Sequence, residues 1–102
     1  MAIADIVQTI NLIAINPNVR QGRPYLIGTS ITVADIAIAK NYHHLDADGI
    51  ADWYGLSLPQ VYGALTYYYQ HKENIDDLIY LQIKKAEQAK EEKIGTKTAL
   101  LS

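Results

Sequence analysis

The chain has no cysteine and no phenylalanine. The first absence excludes disulfides and thiol chemistry and removes the commonest zinc ligand. No apolar run approaches the length needed to span a bilayer. The N-terminus has neither a basic n-region nor a cleavage site, so no signal peptide is expected. A soluble, cytoplasmic protein with no membrane association follows as the expectation. Charge of one sign is also lacking: the net charge of −2 gives no global attraction to nucleic acid. Charged residues make up 20% of the chain and apolar residues 49%, which is the balance of a globular protein, not a disordered one. A length of 102 residues suits one domain with a single modest core.

Catalytic groupings are equally scarce. His43 and His44 are adjacent, so on a helix they point apart and make a poor ligand pair. Asp46-Ala47-Asp48-Gly49 has the beginning of a calcium loop, but Ile50 follows and the later ligands are missing. His71 beside Lys72 has no obvious acid partner in sequence. No glycine-rich phosphate loop, nucleophile elbow or paired catalytic carboxylates appear. The expectation is a protein that is not an enzyme and carries no cofactor or metal.

What is present is local structural grammar. In the segment Gly22 to Ile36, GRPYLIGTSITVADI, Thr32 is placed to cap a helix by accepting from the Asp35 backbone N–H. Asp35 is placed to reach back to the Thr32 N–H, forming a capping box, with Ile31 and Ile36 where a hydrophobic staple would sit. Arg20 and Arg23 flank Gly22, setting two cations on a turn.

The rest of the chain reads simply. Ala2 to Thr9 is a short helix or a fraying arm. Ile10 to Ile15 reads as a strand closed by Asn16 and Pro17, and Tyr25 to Ile27 as a second, ended by Gly28. A helix is expected from Thr32 to about Tyr42. A second starts at the cap Asp46 and ends near Tyr54, with Gly55 just past its end. Ser57 caps a third, with Gln60 as its reciprocal partner and Pro59 in the first turn, running to about His71. Asn74 with Asp77 is placed to cap a fourth, reaching about Lys93, and Gly95 to Ser102 forms a loose tail. The expected division is an arm with short strands over 1–31, a helical core over 32–71, a C-terminal helix over 74–93 and the tail over 95–102, all in one domain. The fold class is therefore mainly α: a small helical domain with a short N-terminal β-hairpin or strand pair.

Ala51, Gly55 and Val61 have the spacing of a helix-turn-helix over 46–71, of homeodomain-like or winged-helix-like form; an ordinary αα-corner is the alternative. If Leu58, Val61, Leu65 and Tyr68 face the core, then Gln60, Gly63, Tyr67 and Gln70 form the outer face of the third helix. That helix has no lysine or arginine, so any phosphate contacts must come from Arg20, Arg23 and Lys40. The candidate DNA-binding set is thus Arg20, Arg23, Lys40, Gln60, Tyr67 and Gln70; the alternative is that both arginines only brace the turn.

Tyrosine is abundant, at eight. Tyr67, Tyr68 and Tyr69 point about 100° apart on a helix, so Tyr68 belongs to the core and its neighbours stand half exposed. Half-exposed aromatics suit a protein interface, or merely fill a surface edge. On the fourth helix Ile75, Leu78, Ile79, Ile83, Ala86 and Ala89 form a stripe, with Tyr80 and Leu81 off it. This pattern means either two apolar contacts or one broad buried stripe. Tyr69, Leu78, Tyr80, Leu81 and Ile83 are the candidate partner-binding residues.

The stretch INPNVRQGRPYLIGTSITVADI resembles the signature of the domain of unknown function 433 family, small prokaryotic proteins of antitoxin type. The match lies at Ile13, Pro17, Gly22, Pro24, Ile27, Gly28, Thr29, Ile31, Thr32, Val33, Asp35 and Ile36, and the resemblance runs on to about Asp77. Many members resemble VapB-type antitoxins encoded beside PIN-like ribonuclease toxins. The resemblance implies a helix-turn-helix protein that binds such a toxin and its operator DNA as a homodimer. The alternative is an interaction or structural module that keeps the geometry and does not bind DNA.

Overall fold

In a computed structural model, the backbone is described for residues 3–101 and the side chains for residues 3–92. The architecture is mainly helical, with one small antiparallel sheet. Two compact units divide at Gln70.

The first unit begins with an arm without regular structure over residues 3–12, exposed as far as Asn11, so the described part of Ala2 to Thr9 is an arm and not a helix. Strand β1 (Ile13–Ala14) pairs antiparallel with β2 (Tyr25–Leu26), Ile13 opposite Leu26 and Ala14 opposite Tyr25. The strand expected over Ile10 to Ile15 is therefore shorter, because only its centre meets β2. Between the strands lies a one-turn 3-10 helix, Arg20–Gly22, whose three residues all have positive φ.

Helix α1 (Val33–Asn41) starts at the expected cap. Thr32 Oγ1 accepts from Asp35 N at 3.1 Å, and Asp35 Oδ2 accepts from Thr32 N at 3.0 Å. Its sequence is apolar nearly all round, and Val33, Ala34, Ile36, Ala37 and Ala39 are buried accordingly. Helix α2 (Ala47–Tyr54) is capped by Asp46, which accepts from Gly49 N at 2.8 Å. Helix α3 (Leu58–Gln70) carries the Ser57–Gln60 capping pair: Ser57 N donates to Gln60 Oε1, and Gln60 N to Ser57 Oγ. It packs against α1, α2 and both strands, so the core of this unit gathers around it. Val61, Leu65 and Tyr68 are buried, as the spacing predicts, and Ile50 and Ala64 are buried with them. Leu58 is not: it is 40% exposed, because as the first residue of α3 it lies beyond the reach of the core.

Gly55 ends α2 with φ 66° and ψ 40°, and its N–H donates to Ala51 O. Only the conformation restricts this site, since an added Cβ would meet nothing within 4 Å. Gly63 is the opposite case. A Cβ there would lie 2.7 Å from Leu12 Cδ1, so Leu12 sits directly over the α3 backbone. Gly55→Val is therefore expected to cost about 2 kcal/mol, since left-handed backbone strains a β-branched residue. Gly63→Ala should come out near neutral: the roughly 1 kcal/mol gain in helix propensity is offset by displacing Leu12. Equal melting shifts for the two variants would contradict both assignments.

The second unit is α4 (Lys72–Leu101). It begins before Asn74, so the expected Asn74 cap is not used; Ile75 N donates to His71 O, and Lys72 pairs with Asp76 at 2.7 Å. The segment expected as a loose tail continues the helix to Leu101, its Gly95, Thr96 and Thr98 following a long run of the helix formers lysine, glutamate and alanine over 84–93. Within its described side chains Ile75 and Ile79 are buried, Leu78 and Ile83 are half-buried, and Tyr80 and Leu81 are exposed. Among the described residues no helix is long and apolar enough to cross a membrane.

Candidate functional site

Three places in the first unit concentrate polar or exposed apolar side chains. The first is the Arg20 corner. Arg20 Nη1 donates to Ser30 O at 2.9 Å and to Asp35 Oδ2 at 3.0 Å. The same Asp35 oxygen accepts from Thr32 N, so one carboxylate closes the capping box and holds the arginine. Arg20 and Gln21 adopt positive φ without being glycine, a conformation that persists only where surrounding contacts impose it. The ion pair supplies such a contact, and Arg20 is thereby a brace.

Tyr54 lies close enough to feel this corner. Burial pushes its hydroxyl above the ordinary value of 10, Asp35 pushes the same way, and Arg20 opposes both. The folded protein thus holds the Tyr54 proton more tightly than the unfolded chain does. Stability linked to this group is intact below pH 10 and falls as pH climbs from 10 through the raised folded value. Tyr54→Phe should flatten the loss of melting temperature above pH 10. An identical alkaline decline in the variant would remove Tyr54 from the account.

The second place is a cleft of about 300 Å³ lined by Ala39, His43, Leu45, Trp53 and Tyr54. Trp53 is 75% exposed at its rim. His43 and His44 are both exposed in the connection after α1 and make no metal cluster; among the described residues no group of three metal-ligating side chains occurs.

The third place is a groove of about 580 Å³ between the chain from Gln8 to Ile13 and the Pro59–Gln70 side of α3. Tyr62, Thr66, Tyr67 and Gln70 line the helical wall, and none of the described lining residues is charged. Leu12 reaches over Gly63 at its floor.

The sequence-derived DNA-binding candidates distribute unevenly over these places. Tyr67 and Gln70 share the groove. Gln60 is engaged by the Ser57 cap. Arg20 is tied to Asp35, and Arg23 is half-buried. Lys40 stands over the Tyr69 ring, 5.8 Å from its centroid, a cation–π geometry. Of the partner-binding candidates, Tyr69 is exposed on α3, Tyr80 and Leu81 are exposed on α4, and Leu78 and Ile83 are half-buried.

The wall formed by Asn11, Leu12 and Ile13 is absent from the sequence reading. One signal for it was available: an isolated glycine inside a helix, Gly63, marks a close approach by another part of the chain. The sequence shows nothing that says which part approaches.

No curated protein and no solved structure matches the chain. A family model does, described as "Protein of unknown function (DUF433)", over residues 13–68. The matched span starts at β1 and ends at buried Tyr68, so it contains the strand pair, the Arg20 corner and α1 to α3. The chain belongs to the DUF433 family.

Proposed function

We propose that this protein is a non-enzymatic, antitoxin-type binding module that grips a protein partner, a PIN-like ribonuclease being the partner its family resemblance implies. The observation that carries the reading is the character of the exposed surface. It presents large apolar and aromatic side chains, with Trp53, Tyr69, Tyr80 and Leu81 all more than half exposed, and the groove beside α3 is lined by uncharged residues. Exposed tyrosine, tryptophan and leucine of this kind anchor protein interfaces. The partner contact is assigned to α4, where Tyr80 and Leu81 stand next to each other on the surface.

Co-expression with the product of the gene beside its own tests this directly. The whole chain is expected to suppress that product's ribonuclease activity and to co-purify with it. The double variant Tyr80→Ser, Leu81→Ser should fold and lose both effects. Full suppression by the variant would displace the contact from α4; no suppression by the whole chain would overturn the antitoxin reading.

A second reading, operator binding through a helix-turn-helix formed by α2 and α3, is favoured by one feature. Gly55 takes the left-handed conformation between two helices joined by the short turn Gly55–Leu56–Ser57. Its weakness is electrostatic. Arg20, Arg23 and Lys40 are the named cations, a dimer doubles them to about six, at the low end of the roughly 6–10 phosphate contacts of an ordinary DNA-binding protein, and Arg20 is held by Asp35.

A further inference from the structure

From Ile6 to Val19 the chain carries no charged residue, a run of fourteen, and β1 lies inside it. The hydrogen bonds of β1 show which way its backbone faces. Ile27 N donates to Leu12 O at 3.0 Å, so Leu12 and Ile27 form a hydrogen-bonded pair in the antiparallel register. Pairs alternate in such a ribbon. Ile13, opposite Leu26, is then a non-bonded position, and the N–H and C=O of Asn11, Ile13 and Ile15 point away from β2.

The two edges of this sheet differ. The far side of β2 is covered: Leu26 N donates to Ile31 O, and Tyr25 bridges to Thr32. The far side of β1 meets no strand among the described residues. Natural edges are blunted by lysine, proline, bulges or a covering element. This one has no charge, and its flanking Ile10 and Ile15 are 83% and 61% exposed. Asn11, Leu12 and Ile13 also line the uncharged groove beside α3, so neither the edge strand nor the helix next to it brings a charge there.

We infer that β1 pairs antiparallel with β1 of a second copy, across a twofold axis at Ile13. The outward-facing groups are self-complementary in one register: Ile13 opposite its own copy, and Asn11 opposite the second copy's position 15. Leu12 then faces position 14, a large side chain beside a small one. The result is a four-stranded sheet in the order β2, β1, β1, β2, within the ordinary size range, where a ribbon of two two-residue strands is marginal. Charge selects the occupant. A charged peptide or a nucleic acid laid along this uncharged edge would lose hydration without finding a counter-charge. The chain's own uncharged run matches it, and the twofold arrangement satisfies both copies at once. The self-association stands whether or not α4 holds a partner.

The absence of cysteine makes the register testable. In the proposed pairing the two Cα atoms at position 13 lie about 5.5 Å apart, inside the range a disulfide spans. Ile13→Cys should cross-link to a covalent dimer under mild oxidation. Asn11→Cys alone should not, since its copies would sit roughly 14 Å apart along the strands, whereas a mixture of Asn11→Cys with Ile15→Cys chains should. Light scattering at tens of micromolar should give a dimer for the natural sequence and for Trp53→Ser. It should give a monomer of unchanged helical content for Ile15→Lys, because a lysine on an edge strand opposes pairing with a second strand, here expected to weaken association roughly a hundredfold or more. If Ile15→Lys fails to fold, Ile13→Pro replaces it, because the Ile13 N–H faces outward and the internal ladder survives. A monomeric natural chain, a dimer that Ile13→Cys does not cross-link, or a dimer indifferent to these edge variants would overturn the inference.

Discussion

Tyr68→Ala is expected to remove about 3–5 kcal/mol of stability, the usual loss when a buried aromatic is truncated. The ring is 1% exposed and sits on α3, the helix that packs against α1, α2 and both strands. Its hydroxyl accepts from Asn41 Nδ2 at 3.1 Å, which links α3 to the end of α1. The two contributions separate in a pair of variants. Tyr68→Phe keeps the ring and loses only the hydroxyl, so it should lose about 0.5–1.5 kcal/mol. Denaturant midpoints at constant slope measure both. A Tyr68→Ala loss no larger than that of Tyr68→Phe would mean that the ring is not a core element.

Asp35→Ala carries the second large effect. The carboxylate closes the capping box on Thr32 and holds Arg20 against the left-handed turn. Loss of a helix cap contributes about 1 kcal/mol. The ion pair adds less than about 1 kcal/mol, because Arg20 is partly exposed and solvent screens it. Releasing a strained turn from its brace raises the expected total to roughly 2 kcal/mol. Asp35→Glu should recover part of it, since glutamate also closes capping boxes, while Arg20→Ala should lose less than Asp35→Ala. Equal losses for Arg20→Ala and Asp35→Ala would show that the cap contributes nothing.

The contrast between Asp35 and Leu12 explains what the sequence discloses. Caps at Thr32, Asp46 and Ser57 are legible because each is decided within four residues, by side chains reaching their own backbone. The left-handed Gly55 is legible for the same reason. Leu58 misleads because periodicity assigns a face without knowing where the core ends. The α4 start misleads because Asn74 offers good capping chemistry that the helix, already begun at Lys72, does not use. Least legible is the groove. It forms where Leu12 meets Gly63, fifty-one positions on in sequence, and local chemistry does not announce such pairings. The outer face of α3 looks solvent-facing in the sequence; in the fold, the strand segment lies along part of it.

From that placement we propose, as the central claim, that the outer face of α3 meets protein and not nucleic acid. Fluorescence anisotropy of the whole chain with DNA from upstream of its own gene tests it most directly, read between about 50 and 200 mM salt, where phosphate contacts weaken steeply. No saturable change at the lowest salt is the result expected here. A saturable change that collapses with added salt, and that Arg23→Ala or Gln70→Ala abolishes, would contradict the claim.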